Sequence, residues 1–271
     1  MRVVVRSLAF LAGAGVLAAC VKVPFTNRSQ FNLVPDGMMN SLGASTYQET
    51  LAAVSVIPKS DGDAEKLRSV GKKIAKVADQ PEFAWQFSLI NDPQVNAWCL
   101  PGGYIGFYSG ILPVLQNEAG MAFVMGHEVG HAVAHHGAER MTQNLAVSGG
   151  LGVLDLFLSN KSKLSEEQRG LVLGALGMGA NVGVLLPFSR THESEADVIG
   201  AMYMASSGYP PGESIKLWDR MESAGGARGP AFLSTHPTPE KRKENLREWL
   251  PQAKKRYDRS SKVSTALQTA W

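Results

Sequence analysis

Gly126-His127-Glu128-Val129-Gly130-His131 constrains this chain more than any other stretch. Two histidines four apart flank a glutamate inside a helical pattern whose apolar face includes Met121, Val124 and Met125. Residues four apart share a helical face, so both imidazoles can reach one metal ion. Neutral nitrogen donors of borderline softness suit Zn²⁺ at neutral pH, one ion per chain. Glu128 follows the first histidine and projects beside the metal rather than onto it. There it can take a proton from a water the metal activates and hand it to a leaving amine.

Zinc needs a third protein ligand. A metzincin would carry glycine at the seventh position after His127 and histidine at the tenth, but Ala134 and Gly137 stand there. The other source is a glutamate on a later helix. Thr191-His192-Glu193-Ser194-Glu195-Ala196-Asp197 offers Glu193 and Asp197 four apart on one face. Glu193 can ligate the metal, and Asp197 can accept the remaining ring N–H of a ligand histidine and fix its tautomer. Glu195 is read as solvent-facing or salt-bridged, and His192 as lying off the ligand face.

The N-terminus reads as an export signal. Arg2 and Arg6 precede an apolar run of about a dozen residues, too short for a spanning helix. The run ends Leu17-Ala18-Ala19-Cys20, which resembles a bacterial lipobox. Residues 1–19 are therefore expected to be a lipoprotein signal peptide, with Cys20 lipidated to hold the chain on a membrane. Val21 rather than Asp at the next position resembles outer-membrane sorting. Once Cys20 is modified, only Cys99 is left and no internal disulfide is possible. Cys99 is read as a small buried hydrophobe.

Residues 20–45 contain Pro24, Pro35 and Gly37 and read as a lipidated N-terminus and tether. A folded domain is expected over 46–253 and a basic tail over 254–271. Within the domain, Ala64, Leu67, Val70, Ile74 and Val77 recur at helical spacing over 60–78. Strands are predicted over 83–90, 95–100 and 104–108, joined by tight turns at Asn91-Asp92-Pro93 and Pro101-Gly102-Gly103, so the sheet is expected to be antiparallel. A long helix is predicted over 117–140, with further helices over 193–206 and 212–223 and from near Pro239. The glycine-rich stretch 145–188 reads as a small-residue helix packed close to its neighbours, or as a lid. The 44 % apolar and 19 % charged composition is that of a globular protein, and a net charge of +3 is too small to argue for nucleic acid. The fold class is α+β, mostly helical, with a small antiparallel sheet before the metal-binding helix.

Several separated pieces together resemble the gluzincin metallopeptidases, metallopeptidase family forty-eight, which includes HtpX, the CAAX prenyl endoproteases and BepA-like lipoproteins. They are Asn96-Ala97 with Pro101-Gly102-Gly103, His127-Glu128-x-x-His131 with His136, the segment from Ser189 to Asp197, and Thr235-His236-Pro237 with Arg242. The resemblance runs over roughly 60–250 and implies a zincin-like fold. No helical-repeat domain or bundle of spanning helices is evident beside it.

The resemblance also implies further roles. His236 approaches the metal, either stabilising an oxyanion or binding zinc as a fourth ligand that holds the enzyme latent. Arg242 holds the acidic side of the site or helps bind the oxyanion. Asn96 and Ala97 belong to an edge strand that binds substrate backbone by β-addition. His135 and His136 are read as structural. The function implied is a zinc endopeptidase, lipid-anchored at the bacterial outer membrane and facing the periplasm. Its partners are polypeptide substrates, unfolded or misassembled envelope proteins, and the membrane, with no nucleic acid. The rival reading is a periplasmic chaperone or adaptor with a latent zinc site.

Overall fold

The computed structural model describes residues 20–147, 174–176, 189–224, 232, 236 and 240–260. The expected signal peptide, nearly all of the glycine-rich stretch and the end of the basic tail lie outside the described residues. The described residues begin with an antiparallel hairpin of β1 (Cys20–Lys22) and β2 (Ser29–Phe31), Val21 opposite Gln30. There follow α1 (Asp36–Ala53), α2 (Gly62–Ala78), β3 (Gln86–Ile90), β4 (Ala97–Leu100), β5 (Tyr104–Tyr108), a single 3₁₀ turn and the short α3 (Leu112–Leu115). Among the described residues there follow the longer helices α4 (Glu118–Val133), α5 (His136–Val147), α6 (Arg190–Ser206), α7 (Glu213–Ala224) and α8 (Glu240–Arg259). The architecture is α+β and mostly helical. No helix among the described residues is long and apolar enough to cross a membrane.

The helices begin and end where local chemistry dictates. Asp61 caps α2 by accepting from the amides of Asp63 and Ala64, and the helix stops at Asp79, which takes left-handed angles. Asn117 caps α4 through the amide of Gly120, and Ser189 caps α6 through that of His192. α4 is enclosed on all sides, and every residue from Ala119 to Val133 is buried, the polar His127, Glu128 and His131 included. It runs through the middle of the molecule, with α2 and the sheet on one side and α6 on the other.

Small residues line the crossing of α4 and α6. A Cβ added at Gly126 would lie 3.0 Å from Gly200, one at Gly200 would lie 2.8 Å from the backbone nitrogen of His127, and one at Gly130 would lie 3.2 Å from Ile199. The two backbones therefore approach as closely as helices can. This brings the first turns of α6 to the metal-binding face of α4.

Four expectations are corrected. The three-stranded sheet has the order β3-β5-β4, with β4 antiparallel but β3 parallel to β5. The loop at Asp92 is not a hairpin turn. The Asp92 amide donates to Ser109 Oγ, and its carbonyl accepts from Ser109 Oγ and the Gly110 amide. The loop is thereby pinned across the end of β5, and β4 is delivered to the far side.

Residues 20–45 are not a tether either. They hold the hairpin and the start of α1, with Val23, Val34 and Met39 in the core. Apolar residues spaced irregularly between prolines gave no periodic signal for this. Finally, the helix predicted over 117–140 is two. It breaks at His135, whose φ is 53°, and Gln30 Nε2 donates to the Ala134 carbonyl at 2.6 Å, satisfying that group at the end of α4. The last helix also runs on through Pro251 to Arg259, well into the segment read as tail.

Exchange of Gly200 for alanine tests the crossing. Alanine is the better helix former by about 1 kcal/mol, yet its methyl group would press on the His127 backbone. Urea unfolding is expected to show a net loss of about 1–3 kcal/mol. Unchanged or increased stability would mean the helices can move apart freely.

Candidate metal centre

α4 presents His127 and His131 one turn apart, with their Nε2 atoms 3.1 Å from each other. α6 presents Glu193 and Asp197 one turn apart toward the same point. Glu193 Oε1 lies 3.4 Å from His131 Nε2, and Glu193 Oε2 lies 3.6 Å from His127 Nε2. His236 comes from the chain beyond α7, its Nδ1 2.9 Å from Glu193 Oε1 and 3.3 Å from His127 Nε2. His127, His131, Glu193 and His236 each offer one donor atom, all within 4.8 Å of one another and all buried.

Three imidazole nitrogens and a carboxylate oxygen converge on one buried point. Nitrogen and carboxylate donors in a compact, closed group fit a single divalent ion of the zinc type. Glu128 Oε1 is buried beside them with no hydrogen-bond partner, its nearest cation-capable neighbour being His236 Nε2 at 3.5 Å. An acceptor left open there fits a water held between it and an ion.

Around the donors, charge is balanced closely. Asp197 Oδ1 accepts from His127 Nδ1 at 3.0 Å, which leaves the Nε2 lone pair aimed at the donor group. Arg242 spans both carboxylates of α6, with Nε 2.7 Å from Asp197 Oδ2 and Nη1 2.8 Å from Glu193 Oε2. Its guanidinium also rests over the Trp218 ring at 4.1 Å. Burial alone would push Glu193 up, but His236 and Arg242 hold its carboxyl well below the usual range. Burial keeps His131 neutral by lowering its pKa well below that of free histidine. Burial dominates at Glu128 and raises its pKa, against the pull of His236 and His127, in the direction a general base requires.

An apolar wall of Phe123, Trp218 and Phe232 closes one side, with Phe232 stacked on His236 at 4.4 Å. The Phe232 amide donates to the Val95 carbonyl just before β4. β4 is the edge of the sheet, and its Cys99 lies close enough to Glu128 for burial and that carboxylate to raise the thiol pKa well above normal. Asn96 and Ala97 head this strand. The Ala97 amide is already taken by Asn96 Oδ1 at 2.9 Å, so it is not a free donor.

Five polar residues outside the expected set, His136, Glu195, His192, Glu139 and Arg28, join the site from behind. His136 Nδ1 meets His131 Nδ1 at 2.9 Å, and His136 Nε2 meets Glu195 Oε2 at 3.1 Å. Glu195 is salt-bridged, as one of its two readings held, but it is buried rather than exposed. His192 donates toward Glu139 Oε2 at 3.0 Å and stacks on His136 at 4.3 Å. Arg28 and Glu139 carried no signal in the sequence, since neither belongs to a spacing pattern shared with the histidines.

Residues 61–250 match the pattern of peptidase family M48. The chain is 36 % identical over 259 residues to the mitochondrial metalloendopeptidase OMA1 of Schizosaccharomyces pombe, covering 93 % of this chain and 73 % of that one. It is 33 % identical over 258 residues to the protein of the same name from Saccharomyces cerevisiae, covering 88 % and 71 %. It is 28 % identical over 190 residues to the beta-barrel assembly-enhancing protease of Escherichia coli, covering 67 % of this chain and 37 % of that one.

Two outcomes follow from the geometry. Arg242→Met leaves Glu193 and Asp197 buried without their cation and is expected to lower stability by ~3–5 kcal/mol in denaturant titration. A loss under 1 kcal/mol would show the clamp to be dispensable. Cys99, buried and protonated, is expected to resist a thiol reagent in the native Cys20→Ser protein and to react fully once unfolded.

Proposed function

Because the chain belongs to peptidase family M48 and is a metallopeptidase, we propose that it is a zinc-dependent endopeptidase with Glu128 as its general base. The observation that carries this reading is the convergence of four donor atoms beside a buried carboxylate oxygen that lacks a hydrogen-bond partner. His127, His131 and Glu193 hold the metal. Zinc, when bound, supplies Lewis acidity to a water molecule and to the scissile carbonyl. Glu128 accepts the water's proton at Oε1 and later delivers it to the leaving amine. Asp197 fixes the tautomer of His127, and Arg242 bridges the carboxylates of Glu193 and Asp197. The edge strand β4 aligns the substrate backbone through its outward groups at Cys99 rather than through the Ala97 amide.

In this arrangement His236 is the fourth donor, and the site is in a latent state. Its Nδ1 faces Glu193 and His127, and its Nε2 faces Glu128, so it would occupy a fourth position at a bound ion. The proposed substrates are unfolded or misassembled envelope proteins. Supporting this are the relative named a beta-barrel assembly-enhancing protease and the export signal ending at Cys20. Lipidation of Cys20 would place the domain at the outer membrane, facing the periplasm. His236 among the donors equally favours the second reading, a chaperone or adaptor whose zinc site stays closed.

The test is casein cleavage by the full chain, with zinc content measured alongside. Glu128→Gln is expected to retain one zinc per chain and to lose at least ~100-fold in rate. Chelator is expected to abolish cleavage, and zinc to restore it. His236→Ala is expected to raise cleavage by opening the fourth position. A fall of ~100-fold or more in that variant would instead assign His236 to the oxyanion. Zinc without cleavage in every variant would favour the adaptor.

A further inference from the structure

We propose that Arg28, on the N-terminal hairpin, is a positioning residue for the metal ligand His131 and acts through Glu195 and His136. This rests on the reading of His131 as a ligand. The links are short and continuous. Arg28 Nε lies 2.7 Å from Glu195 Oε1, and Nη2 lies 3.0 Å from Glu195 Oε2. Glu195 Oε2 faces His136 Nε2 at 3.1 Å, and His136 Nδ1 faces His131 Nδ1 at 2.9 Å. The same guanidinium grips Glu139 through Nη1 at 2.8 Å and Nη2 at 2.7 Å.

Only one arrangement of protons satisfies this row when a metal is bound. His131 must offer the lone pair of Nε2 to the ion, so its proton sits on Nδ1. That proton is donated to His136 Nδ1. His136 then carries its own proton on Nε2 and donates it to Glu195. The row therefore ends on a carboxylate that must stay ionised and must keep one oxygen aimed at His136. Arg28 secures both conditions by holding the two oxygens of Glu195 in its planar fork.

A second route reaches the same ring. Glu139 accepts from His192, and His192 stacks against His136 with the ring planes 19° apart. Arg28 thus fixes the carboxylate at the end of the row and, through Glu139, the surface on which its middle member lies. His136 is fully buried, whereas the Arg28 side chain is 27 % exposed. The cation reaches in from the rim of the molecule. It stands eight positions after Cys20, on the hairpin that begins there. The N-terminal segment, read from sequence as a tether, is in this view a part of the metal centre.

The decisive experiment is zinc affinity by chelator competition on the full chain in detergent, together with the visible spectrum of the Co²⁺-loaded protein. Wild type is expected to bind one ion per chain; if it binds none, the ligand reading itself fails. With wild type loaded, Arg28→Ala is expected to weaken zinc binding by ~10–100-fold, the range typical of groups that orient ligands. The Co²⁺ bands are expected to shift in position, which a loss of stability alone would not cause. Arg28→Lys keeps the charge but not the fork and is expected to recover part of the affinity. Wild-type affinity and spectrum in Arg28→Ala would overturn the proposal. Should Arg28→Ala fail to fold, Arg28→Lys decides: a several-fold loss with shifted bands supports the role, and unchanged values overturn it.

Discussion

The close crossing of α4 and α6 is the constraint on which the rest of this structure depends. Each helix carries a pair of polar residues one turn apart, His127 and His131 on one, Glu193 and Asp197 on the other. Separately, each pair is only a polar notch on a helix face. Gly126, Gly130 and Gly200 let the backbones approach until the pairs share a single buried point. A side chain at any of these positions would separate the donors as well as the helices. Core packing and metal-site geometry are therefore the same requirement here.

That approach has an electrostatic consequence. Burying Glu193, Glu195 and Asp197 on one helix beside Glu128 concentrates negative charge where solvent cannot screen it. Two arginines from opposite ends of the chain offset it. Arg242 from α8 covers Glu193 and Asp197, and Arg28 from the hairpin covers Glu195 together with Glu139 on α5. α6 is thus gripped on two faces, one facing the donors and one facing the histidines behind them. Planar guanidinium groups suit this role because each can hold two carboxylates at once without being deprotonated by burial.

The same balance leaves Glu128 apart. It is as buried as its neighbours, yet burial outweighs the pull of His236, His127 and Arg242, and its pKa moves up where that of Glu193 moves down. Two buried carboxylates are thereby set apart, Glu193 held toward its ionised form and Glu128 moved toward its protonated one. His236 sits between them and faces both. Its segment joins the sheet edge through Phe232 and Val95, so a peptide arriving along β4 would meet the element that carries His236.

The sequence by itself determined the elements whose signal is local. Helical periodicity marked α2 and α4, and two spacings of four residues marked His127, His131, Glu193 and Asp197, because residues one turn apart share a face in any helix. His236 and Arg242 stood out only through resemblance to a family. What tertiary structure alone decided are the contacts with no period to betray them. β5 lies between β3 and β4 because one loop is pinned across it by Ser109 and Gly110. Where the helix after His131 breaks, Gln30, more than a hundred residues earlier, takes the Ala134 carbonyl. Arg28 meets Glu195 across 167 residues of chain. Such pairings are selected by the energy of burying charge in one assembled place, and that place does not exist until the helices have met.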